Sequence, residues 1–192
     1  MPDNSSPLET PPTASPINRE PVRPSAKFML ARPAHLIALG FGSGLSPVAP
    51  GTAGTLWAWL SFLVLQHWLS PADLGGLIAA SVAVGWWVCT ITARNMRVLD
   101  PGSIVWDEVA AFWLVLWLVT PTSFWGQLVA FALFRYFDAA KPGPVGWADR
   151  LAHGLDPATD QNAWAWAGLG IMADDLVAAG CTLMVIAIWR FF

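Results

Sequence analysis

The chain has 192 residues, 55% of them hydrophobic and only 12% charged, with a formal net charge of −3. That balance is far from an ordinary soluble globule and, with a mean hydropathy of +0.50, points to a membrane protein. The absence of a basic stripe argues against a nucleic-acid partner. Cys89 and Cys181, both inside apolar runs with no CxxC or Cys/His cluster, argue against a disulfide framework or a zinc site.

Residues 1–33 open with a Pro- and Ser-rich stretch that has no apolar core of the signal-peptide kind. They are predicted to form a disordered cytoplasmic tail, with a single membrane-embedded domain over 34–192. "GFGSGLSPVAPGTAGTL" (40–56) holds too much Gly and Pro for regular helix. Gly51, Thr52 and Gly54 then start a helix whose free amides suit an anion, with Ser43 and Ser46 as further donors. A flexible loop capped by Thr52 or Thr55 accounts for the same residues equally well. Apolar stretches follow at 52–69, 74–93, 109–119, 124–137 and 176–192, of which only the second reaches the roughly 20 residues of a full crossing. The expected fold is all-α, a polytopic membrane protein of four or five helices.

Lys and Arg set the orientation, because cytoplasmic flanks retain them. Arg19, Arg23, Lys27 and Arg32 precede the first stretch, Arg94 and Arg97 follow the second, Arg135 and Lys141 end the fourth, and Arg150 precedes the fifth. The turns at 70–73 and 120–123 carry no base. The N-terminus is therefore expected in the cytoplasm. Trp57, Trp68, Trp106, Trp125 and Trp189, near the ends of the stretches, read as headgroup anchors.

The unusual polar residues gather on that same side. Asp107 and Glu108 open the third stretch, Arg135, Asp138 and Lys141 close the fourth, and Asp174 and Asp175 open the fifth. A helix dipole favours one acid in a first turn. Adjacent helical positions point about 100° apart, so two acids in sequence cannot cap the same amides. Clustered carboxylates beside an apolar phase call for a cation, and oxygen ligands of this kind suit a magnesium ion that also meets substrate phosphate. Arg135 and Asp138 share a helix face as a salt bridge, or Arg135 and Lys141 clamp a phosphate. His35, His67 and His153 have no helically spaced partner and read as surface or interfacial, and 149–167 is assigned no chemistry.

The set "GSGLSPVAPGTAGTL", "DPGSIVWDEVAAFWL", "FRYFDAAKPGPVGWADR" and "GLGIMADDLVAAG", in that order over about 40–180, resembles the phosphatidylglycerophosphatase A family. The resemblance implies a magnesium-dependent enzyme of the bacterial inner membrane that removes the terminal phosphate of phosphatidylglycerophosphate, giving phosphatidylglycerol. Its motif residues fall on Asp107, Glu108, Arg135, Asp138, Lys141, Asp174 and Asp175. Both readings together make Asp107, Glu108, Asp174 and Asp175 the catalytic carboxylates, with Asp138 joining them around the metal. Arg135, Lys141, Ser43, Gly51 and Thr52 are assigned to substrate phosphate. The partners expected are a phospholipid and the membrane. The competing reading is a small cation transporter or channel that uses the same carboxylates. A transport path must cross the bilayer, and the stretches between the motifs carry no charge.

Overall fold

Proline marks where four of the helices begin. Pro33, Pro50, Pro71 and Pro144 each occupy a first turn, where the missing N–H costs nothing and the fixed φ suits the helix. The computed structural model describes residues 20–150 and 154–191; the segment 1–19, with Arg19, and His153 lie outside the described residues. The described residues are all-α: α1 (Ala26–Leu30), α2 (Pro33–Ala38), α3 (Pro50–Trp68), α4 (Pro71–Met96), α5 (Trp106–Val119), α6 (Phe124–Ala140), α7 (Pro144–Asp149) and α8 (Ala163–Phe191). A tight 3-10 turn at Gly40–Leu45 joins α2 to the loop before α3.

The short apolar helix α5 is the axis of the bundle, packed against α3, α4, α6 and α8. Its 14 residues span only about 21 Å, and Val109, Ala110, Ala111, Phe112, Val115 and Leu116 are fully buried. Its apolarity thus serves protein packing. Two helices, Pro71–Met96 and Ala163–Arg190, are long and apolar enough to cross a membrane. They lie against each other where small residues permit it: a Cβ at Gly168 would run into Thr90, and one at Gly85 would sit 2.7 Å from Met172 Sδ.

Large apolar side chains face outward on α3 (Leu60, Val64), α4 (Trp86, Trp87) and α8 (Met184, Ile188, Trp189), while Thr55, Thr92, Gln127 and Thr182 are buried. The inward polar groups find partners. Trp59 Nε1 donates to Gln127 Oε1 at 2.6 Å, and Trp113 Nε1 to the Ala58 carbonyl at 2.9 Å. Trp106 belongs with these: it is buried, and its Nε1 donates to the Ser81 carbonyl at 3.1 Å. It is a core residue, not the headgroup anchor its position near a stretch end implied.

Two further expectations are corrected, and the described part of the stretch 1–33, residues 20–33, is tied to the bundle. The Val22 amide donates to the Met96 carbonyl at 2.9 Å, Arg97 Nη1 donates to the Glu20 carbonyl at 3.0 Å, and α1 packs on α2. Composition cannot reveal partners that lie some 75 residues away along the chain. His35 is buried rather than interfacial. Its Nδ1 faces the Phe28 carbonyl at 2.9 Å, its Nε2 meets the Asn95 amide at 2.8 Å, and its ring stacks on Phe28 at 4.1 Å. Finally, α8 starts at Ala163, so Asp174 and Asp175 lie about three turns inside a helix whose run across "AWAWAGLGIMADD" the charges had masked.

The bundle has two distinct ends. Trp117 Nε1, in the last turn of α5, donates to the Pro71 carbonyl at 2.9 Å, which brings the base-free turns at 70–73 and 120–123 together. At the other end α3 and α5 start side by side, with Gly54 against Val105.

Candidate active site

Asp107 and Glu108 occupy the first turn of α5, where no side chain caps the amides and the dipole favours acids. Asp175 has no such reason, being about three turns inside α8. All three present a carboxylate oxygen within 4.8 Å of the others. One oxygen of each, Asp107 Oδ1, Glu108 Oε2 and Asp175 Oδ2, is buried without a hydrogen-bond partner. Three acids converging with an unsatisfied oxygen apiece are strongly unfavourable as isolated anions. Hard oxygen donors arranged in this way fit a divalent cation of the magnesium type.

Arg135 reaches this trio from α6. Its Nη1 lies 3.8 Å from Glu108 Oε1 and 3.4 Å from Thr55 Oγ1, and it pairs with Asp138 one turn on. Asp138 in turn acts electrostatically on Glu108, Asp174 and Asp175. The salt bridge read from the i,i+3 spacing is thus present, and it holds the guanidinium over the acids. Gly51 completes this edge. A Cβ there would collide with Glu108 Oε1 and come within 3.2 Å of both Arg135 terminal nitrogens. Only glycine lets the first turn of α3 approach so closely. The N-cap of α3 is Ala49, held at φ 48, and no side chain caps the helix, so neither Thr52 nor Thr55 does so. Thr55 instead donates to the Gly51 carbonyl at 2.9 Å and sits beneath Arg135.

Asp174 points elsewhere. Adjacent helical residues diverge by about 100°, and while Asp175 joins the trio, Asp174 Oδ2 accepts from Lys141 Nζ at 2.6 Å. Lys141 terminates α6 in the left-handed region (φ 45) and also pairs with Asp149 at the end of α7. Burial works against its charge, but the hydrogen bonds to Asp149 and Asp174 outweigh that and hold the ammonium above its usual value. Asp149 is the residue that sequence reading missed. It follows Lys141 by eight positions across a Gly–Pro turn, a spacing with no helical meaning until α7 folds back. A cleft of about 180 Å³, lined by Asp100, Asp149, Asp174, Gly170 and Ile171 among others, lies beside this pair.

The remaining predicted phosphate donors are less involved. Ser43 Oγ donates to the Gly40 carbonyl at 2.8 Å and Ser46 Oγ to the Val48 carbonyl at 2.8 Å, both within their own loop. Thr52 is half-buried in the first turn of α3.

The family model described as phosphatidylglycerophosphatase A matches residues 36–190. A phosphatidylglycerophosphatase A of Escherichia coli is 40% identical over 159 residues, covering 80% of this chain and 81% of that protein. One from Haemophilus influenzae is 37% identical over 163 residues, covering 85% and 92%. A Bacteroides thetaiotaomicron protein provisionally named phosphatidylinositol-3-phosphatase is 33% identical over 161 residues, covering 81% and 92%. No solved structure matches the chain.

Proposed function

The chain belongs to the phosphatidylglycerophosphatase A family, and from that premise we propose that it hydrolyses phosphatidylglycerophosphate to phosphatidylglycerol and inorganic phosphate, with magnesium as cofactor. The observation that carries this reading is the trio Asp107, Glu108 and Asp175, with its partnerless buried oxygens, beside a guanidinium and an uncapped helix start.

Asp107, Glu108 and Asp175 would hold the metal, with Asp138 and Asp174 at the margin. Bound there, magnesium offsets phosphate charge and polarises the phosphoryl group. The chain's own groups do the rest. Arg135, oriented by Asp138, donates its fork to the phosphoryl oxygens, and Lys141 adds a second positive charge. The free amides of α3 at Gly51 and Thr52 face the same oxygens. A carboxylate of the cluster takes the proton of an attacking water. The water oxygen bonds to phosphorus, the bond from phosphorus to the glycerol oxygen breaks, and that oxygen leaves protonated as the alcohol.

The placement follows from the substrate. Its acyl chains stay in the bilayer while its phosphate meets water, so the site belongs at headgroup depth. The lysines and arginines around it favour the cytoplasmic side of the inner membrane. In this reading α3, α4, α5, α6 and α8 cross the membrane, the short α5 and α6 within the shelter of the longer pair.

The test is phosphate release by the purified protein in detergent, with phosphatidylglycerophosphate and phosphatidylinositol 3-phosphate as competing substrates and magnesium titrated. Magnesium-dependent release from the former, lost in Arg135→Lys, is the expected result. No release from either lipid would reject the reading, and turnover without any membrane gradient separates a phosphatase from a cation transporter.

A further inference from the structure

An apolar groove of about 360 Å³ runs between α3 and α5. Trp57, Leu60 and Val64 form one wall and Trp106 and Trp113 the other, with Phe41 at one end. Phe41 packs on the first residue of each wall, 6.2 Å from Trp57 and 6.1 Å from Trp106 between ring centroids. It therefore sits at the end nearest the carboxylates. Trp106 directly precedes Asp107 in the chain, so this end of the groove lies at the same turn of α5 as the acid pair. Along α3, Trp57 follows Gly51 by six residues, roughly 9 Å, and Val64 lies about 10 Å further from the site. Leu60 and Val64 are about 60% exposed, which leaves the groove open sideways.

We propose that this groove seats one acyl chain of the phospholipid substrate, with the headgroup spanning the interval from Trp57 to Gly51. The proposal rests on the phosphatase reading and adds how a lipid phosphate is told from a soluble one. An incidental furrow on a lipid-facing surface needs nothing special at its mouth, and this one has it. Phe41 is held in the left-handed region at φ 54, ψ 27, between Gly40 at φ 52 and Gly42 at φ 107. A bulky residue rarely adopts that conformation, and such strain collects at ligand clamps. It is kept with the ring half exposed rather than buried. The loop bearing it is pinned at Gly40, where a Cβ would lie 2.7 Å from Val105, and at Gly44, where a Cβ would collide with the Ser103 carbonyl.

Two measurements on the full chain in mixed micelles decide it. The first is the ratio of kcat/KM for long-chain phosphatidylglycerophosphate to that for its dihexanoyl analogue. Val64→Trp, which fills the groove, should lower this ratio roughly tenfold, equivalent to losing about two buried methylenes. Phe41→Gly, which suits the backbone, should lower it in the same direction. Val185→Trp, on the outer face of α8, serves as control and should leave it unchanged. The second is photolabelling by a long-chain phosphatidylglycerophosphate with a diazirine on one acyl chain. Labelling at Leu60 or Val64 should be competed by unlabelled substrate and not by phosphatidylcholine. Equal ratios in Val64→Trp and Val185→Trp, or labelling at α3 that substrate does not compete, overturns the groove. Absence of phosphate release in the wild type rejects the phosphatase reading instead, and the photolabelling still decides whether a chain sits there.

Discussion

Asp174 and Asp175 are consecutive residues of one helix, and their surroundings differ completely. Asp174 has a cation within 2.6 Å, and Lys141 in turn is shared with Asp149. Asp175 is nearly fully buried, faces Asp107 and Glu108, and leaves an oxygen without a partner. A fold that needed only to tolerate two acids at this depth has a lysine to offer and gives it to one of them. The proposed magnesium would supply at the trio the positive charge that Lys141 supplies to Asp174.

The largest effect that tests this contrast is expected for Asp175→Asn. Phosphate release should fall by about a thousandfold, a loss on the scale of removing a principal electrostatic group from an active site. The same substitution should raise the thermal midpoint of the chelator-treated protein, because it removes an uncompensated buried charge. Magnesium should stabilise the wild type and not the variant. Melting followed with and without EDTA checks both, and a variant that is destabilised without metal and still active would erase the distinction between the two aspartates.

Gly51→Ala comes next. The added methyl must displace Glu108 or Arg135, and misplacement by about 1 Å at a reacting centre costs on the order of a hundredfold. The loss should appear in kcat, with the overall fold intact by circular dichroism.

On the paired side, Asp174→Asn should cost only about tenfold in activity, the scale of a supporting group. Lys141 keeps Asp149, so Asp149→Asn alone should behave alike. The double variant should lose more than the product of the two, since it frees the ammonium altogether. If Asp174→Asn proves as damaging as Asp175→Asn, the pair works as a unit and the comparison breaks.

Much of this arrangement was legible in the residues. The helical class, the start of α3 near Gly51, the acid pair opening α5 and the Arg135–Asp138 pairing all follow from local spacing, which short segments obey whatever surrounds them. The divergence of Asp174 from Asp175 follows from helical geometry, but which of them meets lysine does not. The start of α8 was hidden because two charges and a Trp-rich run look like a boundary when their neighbours are unknown. Asp149, His35 and Trp106 were misread for one reason. Each takes its role from a partner contributed by another element, and a one-dimensional pattern carries no trace of a bond across the bundle.

His35 supplies the smallest expected effect on chemistry, and it tests whether the site end is independent of the N-terminal helices. Its ring joins α1, through the Phe28 carbonyl and the stacked Phe28 ring, to Asn95 near the end of α4. The Val105 amide, just before α5, donates to the Ala38 carbonyl at the end of α2 at 2.9 Å, so α2 also supports the strand of backbone that leads into Asp107. His35→Ala leaves the Asn95 amide and the Phe28 carbonyl without their partner, a cost of about 1–3 kcal/mol in stability. If α2 only packs, phosphate release per folded molecule should stay within about twofold of the wild type well below the melting transition, on the footing of separated sites that act additively. His35→Gln, which retains a donor and an acceptor, should recover part of the stability. A fall in kcat beyond the loss of folded protein, reversed by His35→Gln, would mean that α2 positions Asp107 through Val105, and that the acid trio is held from the N-terminal side as well as by α8.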